Sequence, residues 1–512
     1  MNALFVTNIR QQTRFHRFYR AILAGYGIVI ANIFYTGASI PLALHFLGKD
    51  QFGLWAVAQQ VAGYLVLFEL GVSSASSRLI SNFKDNPSSI GYRNIFWSSA
   101  VLFLLLGVFI FFIGICFSLF LPYLLKLPEQ VHPDFQKVLF LLTLSTALTI
   151  SLRAFSTPLW AFQRMDVLNG GSIMFLLLSL FFMPLLFLSG WGLLSLPLSF
   201  FPGIFLACFL NIYVCVKNGF YPSLPQGFRP VFSFFGQTLR FGSDILLLNL
   251  GGQLANSAPL LCATRVLSLA DVATLAIGLK MLNLFQNLFQ KVMQNAAPGL
   301  TEIYVRGEIP LFIRRFRHVL LLSAFLGGFG ALLLNLGNSP FVLIWTGGQI
   351  QFPSTANLFI GALLALSSVT FCFYEVFSVK GQLQPIRFFR FFEGGLACLF
   401  CLFGGWWFGL GGLLAGACLA ALIAAIRIIR QLKMDSLSAM IPEKRLCLAL
   451  FCVAASTFTI QFPQDGQFRV WFPPLISVLC LVAIARILVP WDLVQEIRSR
   501  VGTLRPPKRS RP

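Results

Sequence analysis

The chain has 512 residues, of which 57% are hydrophobic and only 11% are charged, and its mean hydropathy is +0.80. A soluble protein carries about twice that charged fraction, so the composition excludes a large soluble domain. Because a bilayer-spanning helix needs about 20 apolar residues, the apolar content fits about fourteen transmembrane helices joined by short loops. We therefore predict an all-α polytopic membrane protein.

Apolar segments of span length follow one another along the whole chain. The predicted spans lie near 22–44, 54–75, 95–120, 138–159, 171–190, 193–216, 241–262, 272–294, 318–337, 354–379, 388–408, 410–430, 446–462 and 471–490. Short breaks at Ser189–Trp191 and at Gly409 divide runs that would otherwise form single long spans. The basic segment before the first span lacks a small-residue cleavage site, which predicts an uncleaved first helix.

Basic residues accumulate in alternate loops, and the net charge is +21. With the N-terminus inside, the outer loops hold few of the 38 Lys and Arg residues, namely Lys49, Lys126, Lys137, Arg265 and Arg469. The positive-inside rule then predicts an even number of spans with both termini in the cytoplasm. The positive charge thus requires no nucleic acid, and we expect the basic C-terminal tail to contact anionic lipid.

The second half of the sequence repeats the first half weakly, in a register that places Arg20 on Arg240 and Leu47 on Leu267. Six spans separate the two copies, so both have the same orientation, as in transporters built from parallel repeats. We predict two parallel six-helix bundles plus two extra C-terminal helices. The predicted divisions are a cytoplasmic segment 1–20, a bundle 21–217, a linker 218–240, a bundle 241–432, two added spans in 446–490 and a basic tail 491–512.

Four short motifs indicate a family. They are Leu47-Gly-Lys-Asp-Gln-Phe-Gly-Leu-Trp, Phe68-Glu-Leu-Gly-Val-Ser-Ser-Ala-Ser-Ser-Arg-Leu-Ile, Leu239-Arg-Phe-Gly and Asn295-Ala-Ala-Pro-Gly-Leu. Over residues 20–430 the chain resembles the oligosaccharide (O-antigen and polysaccharide) flippases of the multidrug/oligosaccharidyl-lipid/polysaccharide exporter superfamily. The resemblance implies a V-shaped pair of bundles, alternating access, and movement of an undecaprenyl-pyrophosphate-linked glycan from the inner to the outer leaflet.

The internal repeat indicates a monomer. The resemblance also implies a protein of the bacterial cytoplasmic (inner) membrane that serves lipopolysaccharide or other cell-surface polysaccharide biosynthesis. Its expected partners are the lipid-linked oligosaccharide and membrane lipids, with a polysaccharide polymerase or glycosyltransferases as further candidates. No cofactor is expected, and the choice between proton and sodium coupling stays open. We expect no catalytic residue and no metal site, because the four histidines are far apart in sequence.

The eighth span carries the main candidate site. At 100° per residue, one helix face collects Lys280, Asn283, Asn287, Lys291 and Gln294, whereas Phe285, Leu288, Phe289 and Val292 occupy the other. A lysine at the bilayer centre costs about 2.5–3.5 kcal/mol, so this face must meet water or partners. Polar bonding between helices is one interpretation. We favour an anion-binding central cavity, because a pyrophosphate suits two ammonium groups flanked by amides.

Other intramembrane polar residues are weaker candidates. Asn32 of the first span, Arg78 and Arg153 are predicted to contact substrate, although a snorkelling arginine would equally explain Arg78. The carboxylates of Glu69, Asp244 and Glu375 are candidates for ion coupling or for pairing with a basic residue.

Two other functions stay open. A multidrug exporter of cations would present acidic and aromatic residues, and a polytopic glycosyltransferase or polymerase would need close acidic motifs in a large outer loop. The lysines of the eighth span argue against the cation exporter, and the short outer loops argue against the enzyme.

Overall fold

A computed structural model describes residues 2–69, 72–81, 83, 86, 89–162, 164–222, 232–380, 384–434, 445, 479–480 and 482–488. The helices are α1 (Asn2–Leu67), α2 (Val72–Ser81), α3 (Ile90–Leu124), α4 (His132–Leu152), α5 (Thr157–Ala161), α6 (Met165–Leu188), α7 (Ser195–Leu198), α8 (Phe200–Lys217), α9 (Phe232–Val266), α10 (Leu269–Val305), α11 (Ile309–Trp345), α12 (Ser354–Val379) and α13 (Gln384–Met434). Short 3₁₀ turns occupy Glu129–Val131, Arg153–Phe155 and Gly192–Leu194.

The predicted fold class, an all-α polytopic membrane protein, is confirmed. Within the described part of the chain, nine helical segments are long and apolar enough to cross a bilayer. The segment Gly27–Leu67 covers most of the first two predicted spans, and Ile386–Lys433 contains two further ones. The predicted span 446–462 and more than half of the predicted span 471–490 lie outside the described residues. The total of about fourteen spans therefore stays a prediction.

Glycines divide the longest helical stretches. Gly48 interrupts α1 with φ 71° and ψ −176°, and Gly409 interrupts α13 with φ 60° and ψ −142°. Gly190, with φ 81°, follows the end of α6. Such backbone conformations are readily available only to glycine, because a Cβ clashes there. The breaks predicted at Ser189–Trp191 and Gly409 are both present.

The predicted second span, 54–75, is wrong in its C-terminal part. The helix ends at Leu67, a turn follows at Phe68 and Glu69, and α2 begins at Val72. The amides of Phe68 and Glu69 donate to carbonyls three residues earlier, at 3.3 and 3.2 Å. The turn is stabilised by polar contacts of the Glu69 carboxylate, which hydropathy alone does not reveal.

The chain forms two compact units. Unit 1 comprises residues 1–253, 263–274 and 345–349, and unit 2 comprises residues 254–262, 275–344 and 350–512. The predicted domain boundaries stay a prediction.

In unit 1, α3 packs against α4, and α6 packs against both α1 and α8. Gly107 and Gly114 of α3 face Ser151 and Thr143 of α4 so closely that any side chain would overlap them. Small residues at such crossings let helix backbones approach, which compensates for the weak hydrophobic driving force between helices in lipid. One apolar core, which includes Leu65, Leu102, Phe103 and Ile150, joins α1, α3 and α4.

In unit 2, α12 packs against α13. A buried amide network also ties α10, α11 and α12 together. Asn338 donates to the carbonyl oxygen of Gly278 at 3.3 Å and to the side-chain oxygen of Asn357 at 2.9 Å. Asn357 donates in turn to the Ser339 hydroxyl at 2.8 Å. These bonds fix the position of α10, the helix that carries the main candidate site.

Candidate functional site

The polar face of α10 is accessible. Asn283, Asn287, Lys291 and Gln294 are exposed, and Lys280 is half-buried. All five lie on one continuous helix, Leu269–Val305, so the helical spacing read from the sequence applies throughout the face. We call these five residues the lysine face. Their role in binding substrate stays a prediction.

The opposite face of α10 packs within unit 2. Phe289 is buried and lies 6.1 Å from the Phe371 ring of α12, measured between ring centroids. Phe285 packs on Gly330 of α11. Leu288, in contrast, is 41% exposed, so the packed face is narrower than the sequence periodicity predicts.

The two lysines form no ion pair with any residue that the structure describes. Gln286 at the edge of the lysine face donates to the Ser367 hydroxyl at 3.4 Å and so contacts α12 instead. The lysine face therefore carries positive charge and amide groups that no described carboxylate neutralises. Such a surface can bind an anion through charge-assisted hydrogen bonds.

Glu69 and Arg153 form an ion pair in unit 1. The Glu69 side chain is 11% exposed and that of Arg153 is 36% exposed. The Glu69 carboxylate also accepts hydrogen bonds from the Ser73 backbone amide, at 3.3 Å, and from the Ser73 hydroxyl. It thus lies at the N-terminus of α2, whereas Arg153 follows the C-terminus of α4. Both charges are stabilised by the adjacent helix dipoles.

A cavity of about 650 Å³ lies within unit 1. Residues of α1, α2, α4, α6 and α8 line it, and its polar groups include Gln59, Thr149, Arg153, Asn169 and Asn211. We call it the unit 1 cavity. The carbonyl oxygen of the Asn211 side chain is buried and accepts no hydrogen bond from the described residues.

Two tyrosine hydroxyls form hydrogen bonds with backbone carbonyl oxygens near the end of α8. Tyr92 donates to the carbonyl oxygen of Phe220 at 2.6 Å, and Tyr221 donates to the carbonyl oxygen of Phe155 at 2.8 Å. Burial, together with the nearby Cys215 thiol, raises the pKa of Tyr221, so this hydroxyl stays protonated and keeps donating. The bonds hold the chain after α8 against α3 and the 3₁₀ turn at Arg153–Phe155.

A second charged cluster lies between α12 and α13 in unit 2. Glu393 is buried, and it accepts hydrogen bonds from Arg390 at 2.6 Å and from the Tyr374 hydroxyl at 2.9 Å. The predicted coupling residue Glu375 is half-buried next to this group, and the charge of Arg390 also acts on it. Arg390 thus forms its ion pair with Glu393, and Glu375 lies nearby without a direct bond to it among the contacts described.

The remaining predicted residues are less informative. Asn32 is exposed on α1, where its side-chain oxygen accepts a hydrogen bond from Thr36 at 3.3 Å. Arg78 lies on α2 and Asp244 on α9, but both side chains are outside the described part of the structure.

Sequence reasoning missed Tyr374, Glu393 and Asn211. The spacing of Arg390 and Glu393, three residues apart, could have indicated an ion pair on one helix face. Nothing in the sequence indicates that Asn211 lines a cavity. No group of three or more His, Cys, Asp or Glu side chains able to hold a metal occurs in the described ranges.

Comparison with protein families decides the classification. A model of a family described as polysaccharide biosynthesis protein matches residues 21–303, which is more than half of the chain. The chain belongs to the polysaccharide biosynthesis protein family. This confirms the resemblance drawn from the sequence motifs. No curated protein matches the chain.

Solved structures show the fold of this family member. An inward-facing multidrug resistance transporter of the MATE family matches with a TM-score of 0.69 and 16% identity, covering 82% of this chain and 98% of its own. The lipid II flippase MurJ in an inward closed conformation matches with a TM-score of 0.59 and 14% identity, covering 93% and 99%. A MOP superfamily transporter from Pyrococcus furiosus, described as having a binding pocket of reversed polarity, gives 0.60 and 14%, covering 82% and 96%.

These identities support the fold alone. Family and fold together support a multi-pass membrane protein of polysaccharide biosynthesis that acts as a flippase or transporter.

Proposed function

We propose that this polysaccharide biosynthesis protein is a flippase for an undecaprenyl-pyrophosphate-linked oligosaccharide. It moves the glycan from the inner to the outer leaflet of the bacterial cytoplasmic membrane by alternating access and is not an enzyme. The observation that carries this proposal is the lysine face, where Lys280 and Lys291 stand among exposed amides with no carboxylate in ion-pairing distance in the described structure. A pyrophosphate offers several oxygens and multiple negative charges to such a face.

The proposal also includes the partners of the flippase and the ion that drives it. The partners are the lipid-linked oligosaccharide and the membrane lipids, and a polymerase or glycosyltransferases would use the flipped product. We further propose that Glu69, Asp244 or Glu375 couples an ion, either a proton or sodium, to the cycle. Glu69 is paired with Arg153 in the conformation described, so its coupling role requires a second conformation in which this pair opens.

The test measures leaflet exposure of a fluorescent undecaprenyl-pyrophosphate oligosaccharide in liposomes that contain the purified protein. We expect protein-dependent exposure that is lost in the Lys280→Ala/Lys291→Ala double variant, because the anion then meets only neutral amides. Lys137→Ala is the matched control, since this lysine is exposed on α4 of unit 1 and should be dispensable. Replacement of both lysines by arginine should retain transport.

Full activity of the Lys280→Ala/Lys291→Ala variant would refute the anion site. Absence of exposure with wild-type protein over a panel of glycans would refute the proposed substrate. Extrusion of organic cations by the same liposomes would instead favour the multidrug alternative, which shares the fold.

A further inference from the structure

The hydroxyl groups around the unit 1 cavity donate their protons to backbone carbonyl oxygens. Ser145 and Thr146 both donate to the Leu142 carbonyl oxygen at 2.8 Å, and Thr149 donates to the Ser145 carbonyl oxygen at 2.7 Å. Ser172 on the other side donates to the Leu168 carbonyl oxygen at 3.1 Å. A hydroxyl has one proton and two lone pairs, so each of these oxygens can only accept a further bond.

The buried side-chain oxygen of Asn211 adds to the acceptors. The residue lines the same cavity, and this oxygen has no donor in the described structure. A buried acceptor without a donor is unfavourable by about 1–3 kcal/mol, so a donor that reaches it would stabilise the occupied cavity. Together with the side-chain amide donors of Gln59, Asn169 and Asn211, these oxygens suit an occupant that both donates and accepts hydrogen bonds.

Charge restricts the occupant further. Arg153 is the charged side chain among the lining residues described, and Glu69 neutralises it. A pyrophosphate would meet no surplus positive charge, and an organic cation would meet no surplus negative charge. Trp160, which also lines the cavity, offers a large ring with apolar faces. Sugar rings are uncharged, they carry hydroxyls that both donate and accept, and they have apolar faces that pack on aromatic rings.

We propose that the unit 1 cavity binds one neutral, hydroxyl-rich sugar residue of the transported glycan. The inference rests on the proposed function, which makes a glycan the substrate. The volume of about 650 Å³ lies within the range of about 300–1,000 Å³ that is usual for small-molecule sites.

The test is saturation-transfer difference NMR on the full-length protein in lipid nanodiscs, which avoids detergents with sugar head groups. The probes are the neutral disaccharides maltose, lactose, sucrose and chitobiose, each with and without inorganic pyrophosphate. We expect saturation transfer to at least one disaccharide, unaffected by pyrophosphate. Asn211→Leu and Ser172→Ala should weaken this binding about three- to tenfold, as expected for the loss of one hydrogen bond.

Matched controls lie on α6 and directly after α8. Ser179→Ala removes a buried hydroxyl of α6 that donates to the Phe175 carbonyl oxygen and does not line the cavity. Asn218→Leu changes an exposed amide just after α8. Both controls should bind the disaccharide as the wild type does. Binding losses in the controls equal to those of Asn211→Leu would overturn the proposal.

Chemical labelling locates the sugar without any substitution. Cys208 lines the cavity, whereas Cys116 is exposed on α3 away from it. The bound disaccharide should slow alkylation of Cys208 by N-ethylmaleimide and leave Cys116 unchanged, as measured by peptide mass spectrometry. Protection by pyrophosphate instead of sugar, or no saturation transfer to any of the four disaccharides, would overturn the proposal.

The outcomes separate this inference from the proposed function. Leaflet exposure of the lipid-linked glycan without disaccharide binding keeps the flippase and removes the sugar subsite. Disaccharide binding without leaflet exposure keeps a sugar site in unit 1 and removes the flippase.

Discussion

Glu69 and Arg153 show how a charge pair is tolerated within an apolar bundle. Each charge lies at the helix end whose dipole favours it, and the Ser73 amide and hydroxyl complete the coordination of the carboxylate. The neighbouring core of Leu65, Leu102 and Phe103 is otherwise apolar. The pair therefore links the turn after α1 to the end of α4 at one defined place.

Substitution of Arg153 should destabilise the protein more than substitution of Glu69. Arg153→Met leaves the more deeply buried carboxylate without its cation and should lower the free energy of unfolding by about 3–5 kcal/mol. Glu69→Gln leaves the more exposed guanidinium and keeps an acceptor for Ser73, so its effect should be about 1–3 kcal/mol. Thermal unfolding in detergent measures both.

The double variant Glu69→Gln/Arg153→Met provides the control. It should be less destabilised than the sum of the two single variants, because no charge is left unpaired. Additive effects would show that the ion pair contributes nothing as a pair.

The sequence alone identifies the charged candidate residues, but it does not show which residues they contact. Any charge inside a span is conspicuous, which identified Glu69, Arg153 and the two lysines. Glu69 and Arg153 belong to segments far apart in the sequence, and no periodicity relates them. Asn211 and Tyr374 were missed because a single amide or phenol in a span is unremarkable until its neighbours are known.

At the scale of helices, α13 turns back on itself at Gly409, and its two halves meet at glycines. The backbones of Gly404 and Gly412 lie so close that a Cβ on either would overlap the carbonyl oxygen of the other. Gly411, one residue earlier, faces open space. Of these two adjacent glycines, Gly411 has space for a side chain and Gly412 has none.

Alanine substitutions should separate these two glycines. Gly412→Ala forces the halves of α13 apart and should lower stability by about 1–3 kcal/mol, as overpacking does. Gly411→Ala should be neutral or should stabilise by up to about 1 kcal/mol, since alanine is the better helix former. The thermal unfolding midpoint of each variant tests this, and equal destabilisation by both would contradict the close crossing.

Sequence patterns located the helices well where glycine or length marked their ends, as at Gly190 and Gly409. They failed at the second span, because Phe68-Glu-Leu-Gly continues a run of suitable hydropathy. The turn that follows the helix carries Glu69, whose ion-pair partner Arg153 belongs to another part of the chain. Tertiary contacts of this kind are invisible to a window of neighbouring residues.

At the scale of the whole chain, the backbone reversals repeat. In the register that places Arg20 on Arg240, Gly190 falls on Leu410, directly after the reversal at Gly409. In the same register Gly48 falls on Ser268, which lies between α9 and α10. The positions of the turns thus follow the repeat more closely than the identities of the residues do.

Topology remains testable at this scale. Because basic residues concentrate in alternate loops, we expect both termini in the cytoplasm. Green fluorescent protein fused after Pro512 should fluoresce, and alkaline phosphatase at the same place should be inactive, while a phosphatase inserted after Lys126 should be active. An active phosphatase after Pro512 would contradict an even number of spans.

The reversal at Gly409 also bears on how the protein is made. The two halves of α13 are joined without an intervening loop, and they contact each other through the backbone atoms of Gly404 and Gly412, which are close neighbours in the sequence. Contacts this local form quickly, because little chain must be closed to make them. During synthesis, the two halves of the segment 384–434 can therefore make their mutual contacts before the hairpin packs against α12.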